Sequence, residues 1–224
     1  MNNRDLIRQY VDTGVGIPEY QFNQLSGADK KTYLRKIEFS LQHRPLNLRF
    51  YYGDLPEEKQ LELVKKNGSL LQYIKNPSET VKLAAVSAAS IAIQYIKNPS
   101  ETVKLAAILQ NGLAIRYIDN PSEELQLRAV YTTVQAIQYI ENPSEKIQLV
   151  AIKKNPLWMK YINNPSENVE LYLVKKNGHN IDYIKNPSEA VQLAAVNQDT
   201  YSINYIKNPT ENVRKLHNKL EYGQ

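Results

Sequence analysis

The side chains able to do chemistry are few. His43, His179 and His217 are the chain's three imidazoles, and cysteine is absent. The histidines are too far apart for metal-ligand spacing and form no Ser–His–Asp order, and no Gly-Lys-Ser/Thr loop is present to wrap a phosphate. Without cysteine there is no thiol nucleophile, disulfide framework or Cys-based zinc site. Hydroxyls recur in one register, at Ser78, Ser100, Ser122, Ser144, Ser166 and Ser188, each followed by a Glu. Ser-Glu at a helix start is capping chemistry, which accounts for these serines without a nucleophilic role. A tyrosine ladder runs through Tyr51, Tyr73, Tyr95, Tyr117, Tyr139, Tyr161, Tyr183 and Tyr205. Such rings can stack nucleobases. A ring before every Asn-Pro turn also packs on the neighbouring repeat with its hydroxyl near water, and the regularity of the ladder favours that reading.

The elements that position these residues come from one period. Asn-Pro-Ser/Thr-Glu recurs with Pro77, Pro99, Pro121, Pro143, Pro165, Pro187 and Pro209 spaced 22 apart, without insertion. A weaker copy covers Asp54 to Lys75, so seven full repeats run to Lys207 and a partial eighth follows. In each repeat, as at 76–97, the Asn is expected to cap a helix, the Pro to take its first position and the Glu to complete a capping box. Asn67-Gly68, Asn111-Gly112 and Asn177-Gly178 are expected to stop the helix through a left-handed residue. A second segment of at most about two turns of α or 3₁₀ helix then leads to the next Asn-Pro. Val81 and Ala85 point one way and Leu83 and Val86 nearly the opposite, so the first helix must be sandwiched between neighbouring repeats. A leucine-rich horseshoe shares this period but needs a strand of alternating Leu, which is missing.

The expected fold is therefore all-α, a right-handed α-helical solenoid of tandem 22-residue two-helix repeats with N- and C-terminal helical caps. Residues 1–50 form the N-terminal cap, with amphipathic stretches at Arg4 to Val11 and Asp29 to Leu41 separated by turn signals at Gly14 to Pro18. Residues 51–207 form the array, and 208–224 a capping helix in which Lys215, Leu216 and His217 replace the apolar core. The net charge of +5 looks like a nucleic-acid signal until it is divided. The repeats carry 17 Lys/Arg against 16 Asp/Glu, and residues 1–50 carry 8 against 5, concentrated at Lys30, Lys31, Arg35, Lys36, Arg44 and Arg49. No apolar run approaches the ~20 residues of a membrane span, and the polar Met1–Tyr10 lacks a signal-peptide core, which points to a cytoplasmic protein without membrane contact.

Tyr183 to Val196, Tyr-Ile-Lys-Asn-Pro-Ser-Glu-Ala-Val-Gln-Leu-Ala-Ala-Val, together with its variants from Tyr73 onward, resembles the short helical repeats of uncharacterised bacteriophage and bacterial proteins. The resemblance covers about two-thirds of the chain. It implies an interaction module and, through the phage versions, a host-directed inhibitor of a defence or regulatory protein acting in the host cytoplasm; no catalytic residue comes with it. Separately, Asp12-Thr13-Gly14-Val15-Gly16 resembles the ATP-lid box of histidine-kinase-type ATPases, and Asp12-Thr13-Gly14 an aspartic-protease signature. Those folds need a mixed sheet or a β-rich domain, so a helix-ending turn is the better account.

Sibling repeats can be compared position by position. The fifth, ninth and twelfth positions, counted from the Asn, share one exposed ridge. The ninth is Ala in three repeats, but Glu62, Arg128, Val150 and Tyr172 depart from it, and Tyr131, Lys153, Lys175 and Asn197 vary at the twelfth. Trp158, Met159, His179 and Tyr201 depart nearby. Trp, Tyr and Arg dominate binding hot spots. Arg128, Tyr131, Lys153, Trp158, Tyr172, Lys175, His179 and Tyr201 are therefore the candidate partner-binding residues, with drift on a tolerant surface as the alternative. The expected function is a non-enzymatic scaffold for a protein partner, with no cofactor and no metal. Nucleic-acid binding through Lys65, Lys66, Lys153, Lys154, Lys175 and Lys176 is the second reading, and sequestration of a nucleotide or other small molecule between repeats is the third.

Overall fold

A computed structural model describes residues 2–13, 21, 24–43 and 55–223. Among them all regular structure is helical, and no helix is long and apolar enough to cross a membrane. The chain divides into two compact units, Met1–Gln110 and Asn111–Gln224.

The N-terminal unit begins with α1 (Asn3–Thr13) and α2 (Gly27–His43), which pack together. Ser26 caps α2: its Oγ accepts from the Asp29 N–H at 3.1 Å and donates to Asp29 Oδ2 at 2.8 Å. Asn3 Nδ2 donates to the same carboxylate at 2.8 Å, tying α1 to α2 and holding the Asp29 carboxyl below its usual range. Three repeat helices follow, α3 (Glu57–Lys66), α4 (Glu79–Ala88) and α5 (Glu101–Gln110). Between them lie 3₁₀ segments at Gly68–Tyr73 and Ser90–Tyr95. Successive helices pack side by side, as do the two 3₁₀ segments.

The C-terminal unit repeats the pattern. Its helices are α6 (Glu123–Thr132), α7 (Glu145–Lys154), α8 (Glu167–Lys176), α9 (Glu189–Gln198) and α10 (Glu211–Tyr222). They alternate with 3₁₀ segments Gly112–Tyr117, Val134–Tyr139, Pro156–Tyr161, Gly178–Tyr183 and Thr200–Tyr205. Each helix packs on the next and each 3₁₀ segment on its counterpart. The fold is an all-α tandem-repeat array whose repeats stack, within each unit, as in a solenoid.

The core is built from the same positions in every repeat. Ile147, Ala151, Ile152, Met159 and Ile162 are buried in the fifth repeat, and Val191, Ala195, Val196 and Ile206 in the seventh. Burying each Val or Ile contributes roughly 1.5–3 kcal/mol, and the interspersed Ala lets the helices approach. Leu83, expected opposite Val81, is only half-buried, while Val81, Ala85 and Val86 are fully enclosed.

Three local expectations are corrected. The N-cap is the serine, not the asparagine: Ser78 Oγ accepts from the Val81 N–H, as Ser166 Oγ does from Val169, both at 3.3 Å. Asn76, Asn98, Asn120 and Asn164 instead take left-handed conformations, φ 46–55°, which turn the chain before the proline. The following Glu does not close a capping box, because its carboxylate accepts a hydrogen bond from the next repeat's cap. Thus Ser78 Oγ donates to Glu57, Ser144 to Glu123 at 2.6 Å, Ser166 to Glu145 at 2.9 Å, Ser188 to Glu167 at 2.6 Å and Thr210 to Glu189. One hydroxyl caps its own helix and fastens it to its predecessor.

The third correction concerns the Asn-Gly pairs. Asn67, Asn111 and Asn177 are extended (φ −151°, −157° and −159°) and each accepts from the N–H two residues on, capping the 3₁₀ segment. The glycines are required by close approach rather than by a positive φ. A Cβ on Gly68 or Gly112 would fall 2.2 Å from the carbonyl oxygen of Ala85 or Ala129 in the next helix.

Candidate functional site

The exposed ridge predicted from the variable positions is present in the C-terminal unit. Core positions fix which face of each helix is buried, and this leaves the fifth, ninth and twelfth positions outward. Arg128, Lys153 and Lys175 are exposed, and Tyr131 keeps 54% of its surface in solvent. Tyr131 and Arg128 line one open depression of about 450 Å³ with Glu123, Glu124, Leu127 and Lys146. Lys154 reaches back from α7 to the end of α6, donating to the Tyr131 carbonyl at 2.5 Å and the Val130 carbonyl at 3.2 Å. These are terminal carbonyls without intrahelical partners, so the ammonium caps the preceding helix while lying 5.7 Å from the centre of the Tyr131 ring. One repeat on, the half-buried Tyr172 ring lies between Lys153 at 5.3 Å and Lys176 at 5.7 Å. Tyr131, Lys154, Lys153, Tyr172, Lys176 and Lys175 thus form one aromatic and cationic strip along the ends of α6, α7 and α8. No carboxylate lies within ion-pair distance of these four lysines among the described residues.

The other candidates lie elsewhere. Trp158 is on the 3₁₀ segment Pro156–Tyr161, half-buried and tilted against Tyr161 with centroids 5.2 Å apart. His179 stacks on Tyr205 at 5.1 Å, its Nε2 3.0 Å from Asp199 Oδ2. Both therefore join the tyrosine ladder rather than the helix strip. Tyr201, 66% exposed, is on the 3₁₀ segment Thr200–Tyr205. The described ladder rings are half-buried or moderately exposed, and several carry cations: Arg116 lies 4.5 Å from the Tyr117 ring and Lys160 4.8 Å from Tyr183. Ring packing on neighbouring side chains is seen at Tyr161, against Trp158, and at Tyr205, against His179.

Of the other sequence candidates, Gly14 to Glu19, Arg44, Arg49 and Tyr51 fall outside the described residues, and so do the side chains of Asp12 and His43. Among the described residues, no group of three His, Asp or Glu converges as a metal site would.

One polar residue escaped the sequence reading. The seventh position is Gln60, Gln126, Gln148 and Gln192 in four repeats and Glu170 in the sixth. Gln148 Nε2 donates to the Pro143 carbonyl at 2.8 Å while its Oε1 accepts from the Ser166 N–H at 3.0 Å, tying turn to turn. Glu170 is only 8% exposed, and among the described residues no hydrogen bond or ion pair reaches its carboxylate. Burial, assisted by the nearby Glu167 charge, pushes its carboxyl up to about 7. The Gln-to-Glu departure was readable in the register, but its burial was not.

No family model matches the chain, and no curated protein or solved structure matches it.

Proposed function

We propose that this chain is a non-enzymatic scaffold that binds a protein partner through the outward strip of α6, α7 and α8. The observation that carries the reading is a contrast within one register. At the ninth and twelfth positions the second and third repeats hold Ala84, Ser87, Ala106 and Leu109, whereas the fourth to sixth hold Arg128, Tyr131, Val150, Lys153, Tyr172 and Lys175. The buried sixth, tenth and eleventh positions of these same repeats stay Val, Ile, Leu or Ala. The backbone repeats while the surface chemistry changes to the residue types enriched at hot spots. The non-catalytic part of the proposal is supported by the hydroxyls, which are spent on caps and inter-repeat bonds.

The test is a triple variant, Arg128→Ala, Tyr131→Ala and Tyr172→Ala, none of which removes a fully buried group. Circular dichroism and melting should match the parent, while affinity for a captured partner should fall at least ~30-fold, as loss of a hot spot of about 2 kcal/mol or more requires. Unchanged affinity removes the strip from the binding surface.

The four unpaired lysines favour a second reading, nucleic-acid binding. Affinity for single-stranded DNA or RNA should then fall steeply with salt, and the slope should flatten on replacing Lys153 and Lys175. No binding at low ionic strength rejects it.

A further inference from the structure

Beside Glu170 is a cavity of about 340 Å³, walled by Met159, Ile162 and Ile184, by Asn163, Asn164 and Asn186, and by Tyr183 and Lys185. It is separate from the helix strip, and its chemistry does not depend on the role of that strip. In the flanking fifth and seventh repeats the glutamine at the Glu170 position satisfies two backbone groups at once, whereas the second and third repeats hold Lys82 and Lys104 there. Gln126, Gln148 and Gln192 donate to the carbonyls of Pro121, Pro143 and Pro187 at 2.9, 2.8 and 3.1 Å. Gln148 and Gln192 also accept from the N–H of Ser166 and Thr210 at 3.0 and 3.3 Å. An ionised carboxylate has no hydrogen to donate. At the sixth repeat the turn therefore presents two acceptors, the Glu170 carboxylate and the Pro165 carbonyl, where the repeats carrying Gln126, Gln148 and Gln192 pair an amide donor with the proline carbonyl. A carboxylate nine-tenths buried, opening only on this cavity and without a protein partner among the described residues, is costly to ionise, and a cationic donor relieves that cost.

We propose that this cavity binds a guanidinium group, with Glu170 as its counter-ion and the Pro165 carbonyl as a second acceptor. A guanidinium is planar, weakly hydrated and carries several N–H donors, so it can serve both acceptors at once and lie against an aromatic wall. Tyr183 supplies that wall and is already used in this manner, since the Lys160 ammonium lies 4.8 Å from its ring centre. The Asn side chains offer further acceptors. At 340 Å³ the space suits a side-chain end or a small molecule rather than a large ligand. The cation on the wall, Lys185, is exposed and has no ion-pair partner among the described residues, and it competes with an incoming cation by charge.

The experiment is a backbone-amide NMR titration of the full chain at pH 8 with N-acetylarginine amide, and with its uncharged citrulline counterpart. Wild type should show saturable shifts around Asn186 and Ser188. Affinity should fall at least tenfold with the citrulline compound and in Glu170→Gln, which restores the bonding of the siblings and keeps the fold. Lys185→Gln should bind more tightly than wild type. Agmatine binding as well as the capped arginine assigns the site to a free guanidino compound; preference for the capped arginine assigns it to an arginine side chain of a peptide. Equal shifts in wild type and Glu170→Gln, or none in wild type and Lys185→Gln, overturn the proposal.

Discussion

Glu170→Gln should stabilise the protein at pH 8 and leave it unchanged at pH 4. The carboxyl titrates near 7 in the folded chain against 4.5 in its ordinary state. Below 4.5 it is neutral in both folded and unfolded chains and carries no penalty. Between 4.5 and 7 the unfolded chain releases a proton that the folded chain keeps, so stability falls as pH rises, and above 7 the loss is complete. At ~1.4 kcal/mol per pH unit, a rise from 4.5 to about 7 sets a limiting loss of about 3 kcal/mol. Water entering the adjoining cavity screens the ionised group and brings the expected gain of the Gln variant to about 1–3 kcal/mol. For a chain of this size that is roughly 2–4 °C in Tm for each kcal/mol. Urea unfolding of both proteins at pH 4 and pH 8 measures it, and taking the difference between the two proteins cancels the titrating groups that do not interact with Glu170. An equal difference at both pH values, or a variant less stable at pH 8, refutes the account of Glu170 as a buried, unpartnered acid.

Ser166→Ala removes a helix cap and the bond to Glu145 together, so the loss in urea unfolding should be about 1–2 kcal/mol, more than a solvent-exposed serine would give. Ile147→Ala empties a fully enclosed core position and should cost about 2–5 kcal/mol by the same measurement. Gly112→Ala should destabilise by about 1–3 kcal/mol, because the new methyl meets the Ala129 carbonyl and either it or α6 must shift. If the glycine served only as a conformational stop, Gly112→Asn would be tolerated, whereas close approach makes it worse than Ala.

The 22-residue period, the helical class and the exposed ridge were legible because they rest on local signals. Pro and Ser-Glu set each helix start, apolar spacing sets its buried face, and register comparison among siblings separates Arg128, Tyr131 and Tyr172 from the invariant core. The candidate site was only partly legible. Trp158 and His179 share repeats with the strip residues, yet they lie on 3₁₀ segments against the tyrosine ladder, because a side chain's neighbours depend on the element that carries it.

What local sequence determined, then, is which segments coil and which side of each must be covered. What only the tertiary structure decided is who meets whom across a distance of one repeat. The cap serine turns its hydroxyl to a glutamate 21 residues earlier, and Gly112 is needed by a carbonyl in the next helix. Glu170, one polar letter among many, becomes an enclosed carboxyl beside a cavity. Each depends on the distance between stacked backbones, which packing sets and no short stretch of sequence contains.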